Sequence, residues 1–374
     1  MTAVLRVGII GCGEISQVAH IPNINFLSDK FRTTYLCDVS GQALTRCAAK
    51  VAPAPPKTTI DAEELCASDH VDVVLIANAN AYHVPHAILA LKHGKHCFVE
   101  KPVALCYRDI DRLIEAEKTS TGMVFVGYMR RYATAFLEAC KEVGDMPRIS
   151  YARVRDIVGP NSVFVEQSGT FPKKWTDIKE GDASELTQRD AEIASQALDR
   201  EFGVELTPQS QAMLGLLGSL GSHDLSAMRE IIGKPKAVLG ASLDPPNMWT
   251  ILFQFDGFAV TYESGINDVP VFDAHIEVYS PTKIVRVDYD TPYVKGLPIT
   301  MTAREKVDGR PGAGSNGYQE RVVRRTYEDA YTLEMLELYD CITKGATPKT
   351  TAYDAKNDID IFRMILQAGE HNYA

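Results

Sequence analysis

A lysine stands at an abrupt boundary in this chain. Cys97-Phe98-Val99 has the character of a buried strand, and Glu100-Lys101-Pro102 follows at once. In an open α/β sheet, ligands collect beyond the carboxyl ends of the strands. An ammonium delivered there is placed for proton transfer or charge stabilisation, with Pro102 stiffening the backbone behind it. On its own the triplet also fits a solvated strand end, so chemistry at Lys101 needs a ligand site nearby. The sequence offers one upstream. Gly11-Cys12-Gly13-Glu14-Ile15-Ser16 follows the β-rich run 4–10 and precedes helical spacing through Ala19 and Ile24. Gly11 can make the tight turn and Gly13 can let a pyrophosphate approach the backbone, while the helix start at Glu14 and Ile15 offers its amides to the anion. Ser16 stands where a third glycine is usual, a packing position that a small residue can fill. A second strand, 33–36, leads to Asp38, whose carboxylate could hold both adenosine ribose hydroxyls. A carboxylate there repels a 2′-phosphate, so NAD is expected over NADP.

These residues need elements that present them in register. After Asp38, residues 43–51 have helical spacing, Pro53 to Pro56 make a stiff loop, and 61–65 start a short helix. The run 71–77 is almost wholly apolar, as a strand buried on both faces should be, and it ends in Asn78-Ala79-Asn80-Ala81-Tyr82-His83. A helix over 85–93, a strand over 96–99, a helix over 109–118 and a strand over 123–126 complete the alternation expected of a doubly wound parallel sheet. Each candidate ligand residue falls at a strand's carboxyl end.

The remainder of the chain has a different pattern. Residues 148–155 make a plausible first strand of a second domain, carrying Arg155, and 159–211 is a polar, helical insertion. Within it Phe171-Pro172-Lys173-Lys174-Trp175 puts an aromatic face beside two lysines, suited to a sugar or an anionic group, with a surface contact between subunits as the competing reading. Strands then succeed one another at 236–243, 249–255, 259–264, 274–279 and 282–289, as an antiparallel sheet should, and 304–317 is expected to be a loop.

Composition narrows the partners. At 374 residues the chain is long enough for two cores, and a formal net charge of −10 without a basic block argues against nucleic acid. No apolar run reaches the roughly 18 residues of a membrane span, and residue 4 already opens a strand, so an intracellular, cytoplasmic protein is expected. The eight cysteines form no C-x-x-C pair. Free thiols are expected, with neither a disulfide framework nor a metal site.

The glycine turn, Asp38, the 78–83 segment, Glu100-Lys101-Pro102 and Gly127-Tyr128-Met129-Arg130-Arg131-Tyr132 together resemble the glucose-fructose oxidoreductase/inositol dehydrogenase family, Gfo/Idh/MocA. Residues 330–335 and 352–368 are similar to that family's closing helices. The resemblance implies an N-terminal Rossmann dinucleotide-binding domain, 1–126, and a C-terminal α/β domain, 127–374, with a large, mostly antiparallel open sheet. It also implies hydride transfer between NAD(P) and a sugar, polyol, inositol or related hydroxy/keto compound, in a homo-oligomer such as a dimer or tetramer.

By the same resemblance Lys101 would bind the reacting oxygen, Glu100 would position the nicotinamide ribose, Asn78, Asn80 and His83 would skirt the cofactor, and Arg130 would lie near its nicotinamide end. His223 matches a histidine that faces substrate, but Ser219 stands where the family commonly has an aspartate one helical turn earlier. Serine can orient an imidazole without stabilising an imidazolium. Arg155, Trp175, Ser219 and His223 complete the expected substrate contacts. Two rival functions fit the same residues, a lyase or glycosidase-like enzyme that oxidises its sugar transiently, and a non-catalytic dinucleotide-binding regulator.

Overall fold

Residues 4–243, 248–307 and 317–369 are described by a computed structural model. In the first sheet, β1 (Leu5–Ile10), β2 (Phe31–Cys37), β3 (Lys57–Thr59), β4 (Val73–Ile76), β5 (His96–Glu100) and β6 (Val124–Gly127) are all parallel, in the order β3-β2-β1-β4-β5-β6. Such strands are covered on both faces, so β4 and β6 are buried at every residue. Phe98 and Phe125 stack at 5.7 Å between ring centres in this core. α1 (Ile21–Phe26, entered through a π-helical turn at Ser16–His20), α2 (Gly41–Ala48), α3 (Ala62–Ala67), α4 (His83–Lys92) and α5 (Tyr107–Lys118) make the crossovers. β3 escapes sequence reading because its Lys-Thr-Thr is short and mostly exposed.

Strand order reverses between β1 and β4, which opens a crevice beyond their carboxyl ends. Register aligns those ends. Cys37 pairs with Ile10, Ile10 with Ile76, and Ile76 with Val99. The next residues, Asp38, Gly11, Ala77 and Glu100, therefore emerge in one row on four adjacent strands. At about 4.8 Å per strand the row is about 14 Å long.

The second sheet has the order β14-β13-β12-β11-β7-β10-β9-β8, with β7 (Tyr151–Val158) and β10 (Ala259–Ile266) as its parallel pair. The other strands pair antiparallel: β8 (Ala237–Ser242), β9 (Met248–Gln254), β11 (Phe272–Tyr279), β12 (Lys283–Tyr289), β13 (Thr300–Val307) and β14 (Gly317–Val323). β7 and β9 alternate between buried and more exposed residues, the pattern of a sheet with one covered face. α6 (Thr134–Gly144) and α10 (Ser222–Ile232) pack on this sheet. β13 corrects one expectation. Residues 304–307 are strand rather than loop, while 308–316 lie outside the described residues. β14 is exposed along nearly its whole length, so no apolar alternation betrays it.

Between β7 and β13 and after β14 the chain also forms α7 (Asn161–Glu166), α8 (Glu180–Ser195), α9 (Pro208–Leu216), α11 (Ala330–Lys344) and α12 (Ala352–Gly369). Two compact units result. One comprises the chain through Tyr128, Val165–Thr207 and Tyr331–Asp360; the other comprises Met129–Phe164, Pro208–Ala330 and the chain from Ile361. This division differs from a single break after residue 126, and hydrogen bonds explain why. The Tyr107 and Arg108 amides donate to Glu201 at 2.6 and 2.9 Å, and the Tyr128 hydroxyl donates to Asp358 at 2.5 Å. Much of the 159–211 insertion and the first half of α12 are thereby tied to the parallel sheet's unit, to which α11 from Tyr331 also belongs.

Candidate active site

The glycine turn is built by close approach. A Cβ on Gly11 would lie 2.6 Å from the Asn78 amide nitrogen and 2.7 Å from the Ala77 carbonyl oxygen, and its φ of +100° is one that side-chain-bearing residues rarely adopt. Only glycine lets β1 and β4 close the turn this tightly. Gly13 is the opposite case, with nothing within 4 Å of a Cβ, so its backbone faces open space. The helix begins at Glu14 and Ile15, the first exposed and the second half-buried. Ser16 is buried and donates its hydroxyl to the Gly11 carbonyl at 2.6 Å. That bond gives the third motif position a reason to be serine.

Asp38 braces the turn from the end of β2. Its Oδ2 accepts the Cys12 amide at 2.7 Å and its Oδ1 accepts the Ser40 amide at 2.8 Å. Burial pushes its carboxyl pKa up, against the pull of those two amides. Open backbone at Gly13, free space beside it and a carboxylate at the adjacent strand end fit a dinucleotide.

At the other end of the row, Glu100 is buried and Lys101 half-buried. Glu100 Oε1 lies 2.7 Å from His20 Nε2, and Oε2 accepts the Lys101 amide at 3.2 Å. Burial alone would raise the Glu100 pKa. His20, with Lys101 and His83 nearby, outweighs it and holds the carboxyl below its usual range. His20 is a residue that sequence reasoning missed. Its signal was a histidine on the buried side of the helix that follows the glycine turn.

His83 is fully buried, with Nδ1 2.8 Å from the Pro102 carbonyl and Nε2 3.1 Å from that of Asn78. Burial lowers its pKa. The imidazole thus lies between the loops after β4 and β5, and in its neutral form its one N–H donates to one of the two carbonyls. Asn78 Nδ2 is 3.0 Å from His86 Nδ1, and Asn80 is exposed on the short turn Asn80–Tyr82. Trp175 sits at the glycine turn, its indole N–H donating to the Cys12 carbonyl at 3.3 Å. That position puts it beside the row of strand ends.

The other named residues belong to the second unit. Arg130 is buried there, hydrogen-bonded to Asp224, 3.0 Å from Asp156 and set against the rings of Phe272 and Tyr289. Burial alone would lower its pKa, and the two carboxylates more than offset that. Burial and the neighbouring Asp156 push the Asp224 carboxyl well up despite Arg130. Arg130 is thereby engaged in a core ion cluster. Arg155 lies between Glu263, at 2.9 Å, and Asp273, at 2.7 Å. His223 is half-buried in the first turn of α10. Ser219 is exposed within a π-helical stretch, Leu217–Gly221, so their spacing of four does not span a regular α-turn. Asp224, next to His223, points into the core cluster instead.

Comparison with known proteins agrees with this arrangement. Residues 5–128 match the model of Gfo/Idh/MocA, described as an oxidoreductase family with an NAD-binding Rossmann fold. Over 169 residues the chain is 30% identical to myo-inositol 2-dehydrogenase of Thermotoga maritima, a stretch covering 44% of this chain and 49% of that one. The chain thus spans about half the length of that curated relative or, for others, less. Levoglucosan dehydrogenase, in complex with NADH and levoglucosan, aligns with a TM-score of 0.73 at 15% identity, covering 98% of this chain and 97% of that one. KijD10, a 3-ketoreductase from Actinomadura kijaniata in complex with NADP and TDP-benzene, aligns at 0.70 with 14% identity and 98% of both chains covered. These likenesses show the fold. With the glycine turn and the aligned strand ends on one sheet, residues 5–128 match the NAD-binding Rossmann domain of the Gfo/Idh/MocA oxidoreductase family.

Proposed function

We propose that this chain is an NAD-dependent dehydrogenase or reductase acting on a sugar, polyol, inositol or related hydroxy/keto compound. The observation that carries the reading is the row of strand ends, with Gly11 and Gly13 at β1, Asp38 at β2 and Glu100-Lys101 at β5. The inositol dehydrogenase relative supports the substrate class. When bound, NAD supplies a hydride acceptor at its nicotinamide ring.

The chain's own residues do the rest. The open backbone at Gly13 and the helix start at Glu14 and Ile15 receive the pyrophosphate, and Asp38 holds the adenosine ribose hydroxyls. Lys101 donates a hydrogen bond to the reacting oxygen and stabilises the charge that grows there as a hydroxyl is deprotonated or a carbonyl reduced. Glu100, kept ionised by His20, fixes the backbone from which Lys101 projects. In the second unit His223 is the proton-handling candidate, without a carboxylate one turn before it.

The test is a fluorescence screen for nicotinamide oxidation or reduction across sugars, polyols and ketones, run beside Lys101→Ala. The expected result is a loss of about a hundredfold or more in kcat with NADH still bound. A variant retaining more than about a tenth of the parent rate would remove Lys101 from the reaction.

A further inference from the structure

A strap crosses the adenosine end of the cofactor row within the first unit. Residues 170–179 have no regular secondary structure, yet they are pinned at successive points. Lys50 Nζ donates to the Thr170 carbonyl at 2.5 Å, and Gln17 exchanges two bonds with the Lys173 backbone at 2.9 and 3.0 Å. Trp175 bonds the Cys12 carbonyl, and Asp177 then reaches the bend between β2 and α2. There Ser40, the N-cap of α2, donates its hydroxyl to Asp177 Oδ1 at 2.5 Å, and the Gln42 amide donates to Oδ2 at 3.0 Å. These bonds hold the Asp177 carboxyl below its ordinary pKa.

This bend has a particular chemistry. An adenosine ribose held by Asp38 directs its 2′-oxygen toward the loop after β2, so a 2′-phosphate would have to be received by donors of that loop and of the first turn of α2. Among those donors are the Ser40 amide and hydroxyl and the Gln42 amide. The first is held by Asp38, and the other two by Asp177. A 2′-phosphate would meet two carboxylates and no available donor among them. A bare ribose hydroxyl asks for no anion site and is indifferent to Asp177.

We infer that Asp177, carried in on the strap, is a second determinant of NAD over NADP, acting as a built-in anion in the place of a 2′-phosphate. The inference rests on the reading of this row as a dinucleotide site and deepens it. Asp177 is a specificity residue that selects through occupation of the Ser40 and Gln42 donors. Asp38 selects separately, through the ribose hydroxyls themselves.

The experiment titrates NADH and NADPH by nicotinamide fluorescence into the full-length wild type, Asp38→Ser, Asp177→Ala, Asp177→Asn and Asp38→Ser/Asp177→Ala. The NADH-to-NADPH affinity ratio should fall about tenfold or more from Asp38→Ser to the double variant, a change of about 1.4 kcal/mol. Asp177→Asn, which keeps the shape and loses the charge, should fall between wild type and Asp177→Ala. The gain in NADPH binding should also shrink as salt is raised, because it is a charge effect. A ratio left unchanged by removing Asp177, or equal losses for both nucleotides, would overturn the inference while leaving the dinucleotide site standing. Failure of the wild type to bind either nucleotide would instead overturn the site and the inference with it.

Discussion

Glu334 shows what a single side chain in this core has to do. It is fully buried on α11, and among the described residues neither of its carboxyl oxygens has a hydrogen-bond partner. Three residues earlier on the same helix, Tyr331 packs its ring against His20, which in turn holds Glu100. Burial, reinforced by the Glu100 charge, pushes the Glu334 pKa well up. A carboxyl whose folded pKa lies above its unfolded one costs nothing below the unfolded value, about 4.3, and loses folding stability as pH rises toward the folded value. Each pH unit in that interval costs about 1.4 kcal/mol. Glu334→Gln keeps the shape and removes the titration. It should be more stable than wild type in urea at about pH 8 and near parity at about pH 4.5. An equal difference at both pH values would mean that Glu334 is not held protonated. Glu100 has the opposite sign. Its lowered pKa contributes stability above its unfolded value, lost as pH falls through the folded one.

At the scale of elements, the turn between β1 and its helix separates two duties that the motif's spacing leaves merged. Gly11 is a folding residue because a Cβ there would collide with the β4 backbone, whereas Gly13 is open and matters only when something approaches it. Gly11→Ala should lower both the melting temperature and NADH affinity, the strain alone costing about 1–3 kcal/mol. Gly13→Ala should leave the melting temperature unchanged and weaken NADH binding by about tenfold or more. Unaltered binding in Gly13→Ala would place the pyrophosphate elsewhere. The strands behind this turn were legible because a sheet covered on both faces demands apolar runs, and β4 and β5 supply them. β3 and β14 were not legible, since short or exposed edge strands carry no burial signal. The strap was legible only as polarity around Trp175. Its attachments join residues more than a hundred positions apart, two of them through backbone carbonyls that any sequence possesses and one through the Ser40–Asp177 side-chain pair.

Across the whole molecule each of the two units buries its own charged group, and in the second unit that group is Arg130. Arg130 follows the first unit's last residues closely enough to look like a cofactor contact, yet it is clamped by Asp224 and Asp156, whose positions in the sequence are remote from it. Two carboxylates around one guanidinium leave an excess negative charge unless a proton is retained, in keeping with the raised Asp224 pKa. Arg130→Met would leave both carboxylates buried without their cation, at a cost of about 3–5 kcal/mol. The sign with pH follows. Without the guanidinium the pair must fold protonated, so the loss should be smallest at about pH 5, closer to the unfolded Asp pKa of about 3.9, and grow toward about pH 8. The two tryptophans make this readable unit by unit, because Trp175 lies in the first and the fully buried Trp249 in the second. In a Trp175→Phe background, Trp249 fluorescence should report an earlier urea transition for Arg130→Met, with the shift widening between those two pH values. A shift of equal size at both would assign Arg130 a packing role between Phe272 and Tyr289 and no charge role.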